Sequence, residues 1–281
     1  MLDHIETDLL DIAYDEQGDA NGWPVVLLHG FPYARVIVPY LRGYGPTRFL
    51  SPTTLRSGQQ AALGADLLAL LDALRIEQAI LGGYDWGGRA ACIVAALYPS
   101  RARGLVSVNG YNIQDIAAAA QPADPEKEHR MWYQYYLHGE RGRTGLIEKR
   151  REFCRLLWSL WSPTWRFDDG LYARTAASFD NPDFVDVVVH SYRHRFGLVE
   201  GDPRFDDIER RLAATPPITV PTITLDGDAD GVQPPGARET SSKRFSGRHE
   251  NRIVRNAGHN LPQEAPEVFA KAVLDVNAWA G

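Results

Sequence analysis

The chain has 281 residues, 44% of them hydrophobic, and a formal net charge of −6 at pH 7. That length suits one large domain or a domain that carries an insertion, and the apolar fraction can supply a substantial core. The negative charge argues against nucleic acid or an anionic membrane as the main partner. The absence of an uninterrupted run of roughly 18 apolar residues argues against a membrane span.

The N-terminal segment and the cysteines indicate where the protein works. The first residues are acidic and lack the charged and apolar regions of a secretory signal peptide, so we expect a cytoplasmic protein. Cys92 and Cys154 are far apart in the sequence, and we expect two free thiols in a reducing compartment. We find no spacing of His, Cys, Asp and Glu that predicts a metal site.

Short apolar segments alternate with helical patterns along the chain. Strands are predicted at residues 25–28, 36–38, 78–81, 105–108, 218–225 and 252–254. Helices are predicted from a capping box at Ser57 to about Leu74, over residues 89–98, and over residues 266–279. This alternation predicts an α/β fold with a mostly parallel sheet.

The link between the first two predicted strands is unusually short. We expect these strands, at residues 25–28 and 36–38, to be parallel neighbours, which normally requires a crossover of about a dozen residues or more. The sequence provides only residues 29–35. We therefore expect a segment to be missing between Tyr33 and Val36, and a natural deletion is the alternative. An intact mass of 31.3 kDa for the purified chain would show that nothing is missing.

The pattern changes between residues 111 and 215, where no run of parallel strands is evident. Four of the seven tryptophans and six of the twelve tyrosines fall in this stretch. Most of these aromatics are expected to form the core of a helical insertion. We therefore predict a core domain over residues 1–110 and 216–281, covered by a helical cap over residues 111–215.

The sequence Gly-Tyr-Asp-Trp-Gly at 83–87 lies between a predicted strand and a predicted helix. Strand, glycine turn and helix are the setting of a nucleophile elbow, whose usual pattern is Gly-x-Ser-x-Gly. Asp85 occupies the position of the serine. A carboxylate is already ionised at pH 7 and can attack a saturated carbon to form an ester with the enzyme. Asp85 is therefore the predicted nucleophile.

Two further chemical groups follow predicted strands later in the chain. Asp228 and Asp230 come after the strand at 218–225, and His259 comes after the strand at 252–254. The order nucleophile, acid, histidine is that of a catalytic triad on an open α/β sheet. His259 would be the general base, and an acid would orient its ring. We favour Asp230 over Asp228, which is more typical of a solvated turn.

An oxyanion hole is expected beside the nucleophile. In this type of fold one backbone N–H comes from the loop after an early strand and the other from the residue after the nucleophile. These donors would be Phe31, in the His-Gly-Phe-Pro sequence at 29–32, and Trp86. His29 is expected to have a structural role in that loop.

Several of these motifs together resemble those of the α/β-hydrolase-fold epoxide hydrolases. They are the sequences at residues 29–32, 42–45, 83–88, 227–230 and 258–259. The resemblance spans nearly the whole chain and implies an α/β-hydrolase fold with no metal or organic cofactor. The Asp-Trp-Gly-Gly elbow is also similar to that of haloalkane dehalogenases. Tyr84 departs from the pattern, since these families often carry histidine there.

The resemblance also implies two tyrosines in the cap that hold and protonate the epoxide oxygen. One lies in a Tyr-Gln pair, here Tyr133 and Gln134, although Tyr135 and Tyr136 leave that assignment open. The other precedes an arginine on a later helix, here Tyr192. Opening an epoxide leaves an alkoxide that needs a proton, and a phenol can supply one. The implied substrate is a small apolar epoxide, contacted also by Phe31, Trp86 and Gln134.

Three alternatives remain open from the sequence. A haloalkane dehalogenase would use the same aspartate, but such enzymes often carry a side-chain halide donor where this chain has Phe31. Fluoroacetate-type dehalogenases carry arginine after the nucleophile, to bind a carboxylate, where this chain has Trp86. Arg89 follows three residues later, and an ordinary helix arginine is an equal alternative for it. A non-catalytic small-molecule-binding protein is the third alternative, since a fold does not determine a function.

Overall fold

The computed structural model describes residues 2–20, 22–28, 35–233 and 242–280. Within these residues, nine strands form one sheet in the order β1-β2-β4-β3-β6-β7-β8-β9, with β5 paired to β2. The strands are β1 Asp3–Glu6, β2 Leu10–Gln17, β3 Pro24–Leu28, β4 Arg35–Pro39, β5 Arg48–Phe49, β6 Ala79–Gly83, β7 Ala102–Val108, β8 Thr222–Gly227 and β9 His249–Val254.

The six strands from β4 across to β9 are parallel, and β2 pairs antiparallel with β1, β4 and β5. The predicted α/β class and mostly parallel sheet are therefore confirmed. The predicted strand at 218–225 begins only at Thr222, and Ile218 makes an isolated bridge to Phe245. Pro221 explains this difference, because a proline has no N–H group to donate to a strand partner.

Helices cover both faces of the sheet. In β3, Val26 and Leu28 belong to the same hydrophobic cluster as Leu63 of the first helix, whereas Val25 packs in the cluster of Phe269 near the C-terminus. Successive strand residues point to opposite faces, so the central strands are apolar throughout. The helices are α1 Gln60–Ala73, α2 Asp85–Leu97, α3 Pro125–Arg130, α4 Trp132–Tyr136, α5 Glu140–Trp161, α6 Asp169–Ala176, α7 Phe184–Arg195, α8 Asp206–Ala213, α9 Leu261–Glu264 and α10 Pro266–Trp279.

The strands β3 and β4 are parallel neighbours, as the sequence predicted. Val25 pairs with Val36 and Val26 with Ile37. The link that joins them, including His29, Phe31 and the position of the expected missing segment, lies outside the described residues.

The predicted capping box at Ser57 is wrong. Helix α1 begins at Gln60, with Gln59 as its N-cap residue. The Ser57 hydroxyl accepts a hydrogen bond from the backbone N–H of Gln59 at 3.3 Å and donates to the Gln59 side chain at 2.6 Å. The serine therefore stabilises the turn before the helix, because hydroxyls also hydrogen-bond the backbone two residues ahead.

Helices α3 to α8 all lie between β7 and β8 in the chain. Several of their aromatic residues pack on one another, as the sequence predicted: the Trp158 and Trp165 rings stack at 5.2 Å, and Trp132 lies 5.9 Å from Phe153. Trp161 instead contacts His259, which follows β9, at 5.2 Å between ring centroids.

In the part of the chain that is described, no helix combines the length and apolar character needed to cross a membrane. Both cysteines are free.

Candidate active site

Asp85 lies at a strained turn between β6 and α2. Its φ of +47° is in the left-handed region, which residues other than glycine rarely adopt. Glycines on either side let the start of the helix pack closely against the neighbouring backbone. A Cβ atom on Gly87 would lie 2.5 Å from the Cβ of Leu28, and one on Gly83 would lie 2.6 Å from the carbonyl carbon of Gly87. Backbone strain of this kind is concentrated at functional sites.

The carboxylate of Asp85 is ionised in this environment. Burial disfavours its charge, but the neighbouring His259 and the positive charges of Arg89 and Arg195 outweigh that effect and lower the pKa. The side chain is 33% exposed and therefore reachable. These are the properties required of a carboxylate nucleophile.

His259 lies between two carboxylates. Its Nδ1 is 3.0 Å from Oδ2 of Asp230, and its Nε2 is 3.9 Å from Oδ2 of Asp85, which is too long for a hydrogen bond but within ion-pair range. Asp230 is buried and also accepts hydrogen bonds from the backbone N–H groups of Val232 and Gln233. The side chain of Asp228 instead accepts a hydrogen bond from the backbone N–H of Asn256.

These carboxylates determine the charge of His259. Burial opposes protonation of the ring, but Asp230 and then Asp85 outweigh it and raise the pKa of His259 to about 10. The imidazolium is therefore favoured as long as both carboxylates are charged. Loss of one negative charge from this cluster would make the neutral ring more accessible.

Asn109 is a member of this cluster that the sequence analysis missed. It follows β7 with a φ of +65°, and its Nδ2 donates to Oδ2 of Asp230 at 2.8 Å. The same nitrogen is 3.0 Å from Nδ1 of His259. An available signal was the Asn109-Gly110 pair directly after a predicted strand, since this pair favours left-handed backbone conformations.

Tyr133 of α4 and Tyr192 of α7 meet above the turn. Their rings are perpendicular, with centroids 5.6 Å apart, and Tyr192 lies 6.2 Å from Trp86. Burial raises the pKa of both phenols, to about 12 for Tyr133, and the charge of Asp85 acts in the same direction. Both phenols therefore keep the proton that an acid must donate.

The other aromatic residues of α4 point elsewhere. The Tyr135 ring packs on Phe196 at 5.4 Å, and the Tyr136 ring stacks on Phe153 at 5.7 Å. Gln134 donates a hydrogen bond from Nε2 to the Tyr133 hydroxyl at 3.0 Å. Tyr133 is thus the member of this group that adjoins Tyr192.

Two cavities meet at Asp85. The first has a volume of about 160 Å³ and is mainly apolar; Trp86, Leu157, Trp161 and Tyr192 are among its lining residues. The second has a volume of about 330 Å³ and is more polar; it is lined by Arg89, Tyr133, Gln134, Arg195 and His259, among others. A substrate at Asp85 could therefore extend in two chemically different directions.

The expected oxyanion donors can be compared with the structure only in part. The backbone N–H of Trp86 lies in the first turn of α2, where helix geometry leaves N–H groups without an intrahelical acceptor. Phe31 lies outside the described residues.

Across the described ranges, no group of three or more His, Cys, Asp or Glu side chains is arranged to bind a metal ion.

Comparison with known proteins agrees with this architecture. Residues 23–266 match the α/β hydrolase fold family. A crystal structure of a candidate epoxide hydrolase from Klebsiella pneumoniae superimposes with a TM-score of 0.95 and 44% identity, covering 99% of this chain and 97% of the other. Epoxide hydrolase B of Mycobacterium tuberculosis is 25% identical over 339 aligned positions, covering 93% of each chain. Epoxide Hydrolase A of Mycobacterium thermoresistibile has a TM-score of 0.71 at 22% identity, covering 98% of this chain and 97% of the other, and shares the fold.

Proposed function

The chain belongs to the α/β hydrolase fold family, as its motifs predicted, and we propose that it opens epoxides to vicinal diols through an ester on Asp85. One observation carries this proposal: an ionised aspartate occupies the strained turn, with the His259–Asp230 pair on one side and two protonated phenols on the other. The epoxide hydrolases among its relatives support the same reaction.

The first step is attack on the epoxide. An oxygen of Asp85 forms a bond to one epoxide carbon while the bond from that carbon to the ring oxygen breaks. Tyr133 and Tyr192 hydrogen-bond the ring oxygen, and one of them transfers its proton to the developing alkoxide. The product is a hydroxyalkyl ester of Asp85. The hydrogen bond from Gln134 to the Tyr133 hydroxyl helps to orient that phenol and to stabilise a phenolate.

The second step is hydrolysis of the ester. His259, held by Asp230, removes a proton from water, and the water oxygen attacks the carbonyl carbon of the ester. The backbone N–H of Trp86 holds the oxyanion, a contribution of about 3 kcal/mol per donor, and Phe31 is the second donor that the sequence predicts. Collapse of this intermediate releases the diol and restores the Asp85 carboxylate. Before this step, the tyrosinate takes the proton of the resting His259 imidazolium through solvent, and the proton removed from water then restores that imidazolium.

The helices that come between β7 and β8 in the chain complete the site. We propose that residues 111–215 act as a cap over a core of residues 1–110 and 216–281. Trp161 and Tyr192 belong to this segment and contact His259 and Trp86, and Tyr133 of the same segment lines a cavity with Asp85. A cap of this kind excludes bulk water while the ester forms.

A haloalkane dehalogenase is the second candidate, because the Trp86 side chain lines the apolar cavity at Asp85. A departing halide needs only N–H donors, whereas an alkoxide needs a proton. Two buried phenols beside the nucleophile favour the epoxide. A purely binding protein is disfavoured, since the nucleophile, base and acid are all present.

The test is a panel of epoxides and bromoalkanes assayed in parallel for diol and bromide. We expect the enzyme to form a diol from at least one epoxide class. Asp85→Ala should lose that activity, and its circular dichroism spectrum should show that the variant is still folded. Efficient bromide release with no diol from any epoxide would replace the epoxide assignment with the dehalogenase one.

A further inference from the structure

Two arginines, Arg89 and Arg195, line the polar cavity beside the proposed nucleophile. Arg89 is 7% exposed, and its one hydrogen bond among the described residues runs from Nε to the carbonyl of Asn112 at 3.2 Å. Arg195 donates from Nη1 to the Gln134 side chain at 3.1 Å, and its buried Nε has no hydrogen-bond partner in the part of the chain that is described. Neither forms an ion pair within the described ranges, although buried charges are normally paired.

The buried Arg42 shows the usual arrangement in the same protein. Its guanidinium donates twice to the carboxylate of Asp66, at 2.6 Å in each case. Arg89 and Arg195 instead lie close enough to interact. Burial has the larger effect on Arg89, the positive charge of Arg195 adds to it, and together they lower the pKa of Arg89 to about 10. The two guanidinium groups add positive charge to the polar cavity, and Asp85 in the same lining offsets part of it.

Among the described residues, none of the carboxylates that line the cavity forms an ion pair with either arginine. Asp115 accepts a hydrogen bond from the backbone N–H of Ala118 at 3.1 Å, and Glu128 accepts one from that of Ala123 at 2.6 Å. Asp85, the remaining carboxylate in the lining, is the proposed nucleophile. The cavity therefore retains guanidinium groups with unused donors, and a guanidinium is well suited to a carboxylate.

We propose that Arg89 and Arg195 bind a carboxylate of the substrate, so that the preferred substrate is an epoxide with an apolar group on one side and a carboxylate on the other. This inference rests on the proposed function. Asp85 lines both cavities, Tyr192 lines the apolar one, and Tyr133 lines the polar one. An epoxide held by the two phenols would direct one substituent into each cavity.

Charge compensation gives the arginines a further role. An anionic substrate is repelled by the Asp85 carboxylate that must attack it. The guanidinium groups offset this repulsion, and they already lower the pKa of Asp85. A neutral substrate is not repelled by Asp85, so it lacks this part of the gain.

The test compares trans-3-phenylglycidate with its neutral carboxamide, two epoxides of nearly equal shape. We expect the wild-type enzyme to prefer the acid in kcat/KM by about tenfold or more, the scale of a charge-assisted hydrogen bond. Arg89→Gln and Arg195→Gln should each remove most of that preference, mainly through KM. Their effects on Asp85 and Gln134 act on both probes and therefore cancel in the ratio of the two kcat/KM values. Arg193→Gln is the matched control, since Arg193 lies on the same helix as Arg195 but pairs with Glu140.

A binding measurement separates this inference from the proposed reaction. In the Asp85→Asn background, calorimetry should show tighter binding of the glycidate than of the carboxamide, and Arg195→Gln should abolish the difference. Equal binding of the two probes would overturn the carboxylate site even if epoxides are hydrolysed. Tighter binding of the acid together with no diol from any epoxide would overturn the proposed reaction and leave the site standing. If Arg89→Gln does not fold, the two-probe comparison in wild type and Arg195→Gln decides the question.

Discussion

Nδ1 of His259 lies 3.0 Å from Oδ2 of Asp230, and neither side chain is more than 7% exposed. This contact holds the ring so that its other nitrogen, Nε2, faces Asp85. An aspartate in this position fixes the tautomer and stabilises the imidazolium that forms when the ring takes a proton. The proposed second step therefore depends on this contact.

Asp230→Asn is expected to reduce ester hydrolysis by roughly a thousandfold, because an amide cannot stabilise the protonated ring. Ester formation should change much less. Single-turnover measurements separate the two phases. Asp228→Asn is the control, since that side chain caps a turn at Asn256, and it should retain most of the activity. A larger loss from Asp228→Asn would reverse the choice of acid.

Asn109→Gly should slow ester hydrolysis by about tenfold, the usual effect of removing a group that orients a catalytic residue. Glycine tolerates the positive φ of this position, so the change removes the amide without adding backbone strain. The readout is the pH profile of ester hydrolysis, which should shift if Asn109 tunes the Asp230–His259 pair. An unchanged rate and profile would assign Asn109 a purely structural role.

The pKa of His259 should fall when Asp85 loses its charge. Both carboxylates raise that pKa to about 10, so esterification removes one of the causes and favours the neutral base needed for hydrolysis. Asp85→Asn mimics the ester. An NMR titration of the His259 ring should give a lower pKa in this variant than in the wild type, and an equal or higher value would contradict this coupling.

The same shift affects stability. A pKa raised above the ordinary value of 6.5 means that the protonated ring stabilises the fold fully below about pH 6.5, and this contribution is lost as the pH rises towards 10. Asp85→Asn should therefore flatten the dependence of the unfolding free energy on pH in that range, measured by denaturant titration.

Tyr192→Phe should slow ester formation from epoxides by on the order of a hundredfold, because it removes a proton donor and keeps the packing of the ring. Tyr133→Phe should act in the same direction. The double variant should lose more than either single variant, since one phenol partly replaces the other. Stopped-flow quenching of tryptophan fluorescence reports this step, as Trp86 adjoins Asp85. Unchanged rates in the double variant would exclude the phenols as acids.

Much of the fold followed from local sequence patterns. Each of the six predicted strands is found, and the helix predicted at residues 266–279 is Pro266–Trp279. The strands β1, β2 and β5 were missed. The strands β1 and β5 are short and carry exposed residues, so they lack the continuous apolar runs that identify buried strands.

The placement of the candidate site residues was predictable where short motifs determine it and not where packing does. The glycines around Asp85 and the strand before His259 are local patterns that can be recognised in a single sequence. The contact of Asn109 with Asp230 joins residues 121 positions apart, and no local pattern encodes it. The arginine pair was equally hidden, because whether a charged residue has a partner depends on which side chains the fold brings to it.

The most direct test of the account is the mass of the His259→Gln variant after brief exposure to an epoxide that the wild-type enzyme hydrolyses. This change removes the base for ester hydrolysis and leaves Asp85 able to attack. We predict that the intact mass rises by one substrate mass and that peptide mapping locates the addition on Asp85. An unmodified chain under these conditions would contradict a covalent ester and indicate direct attack by water.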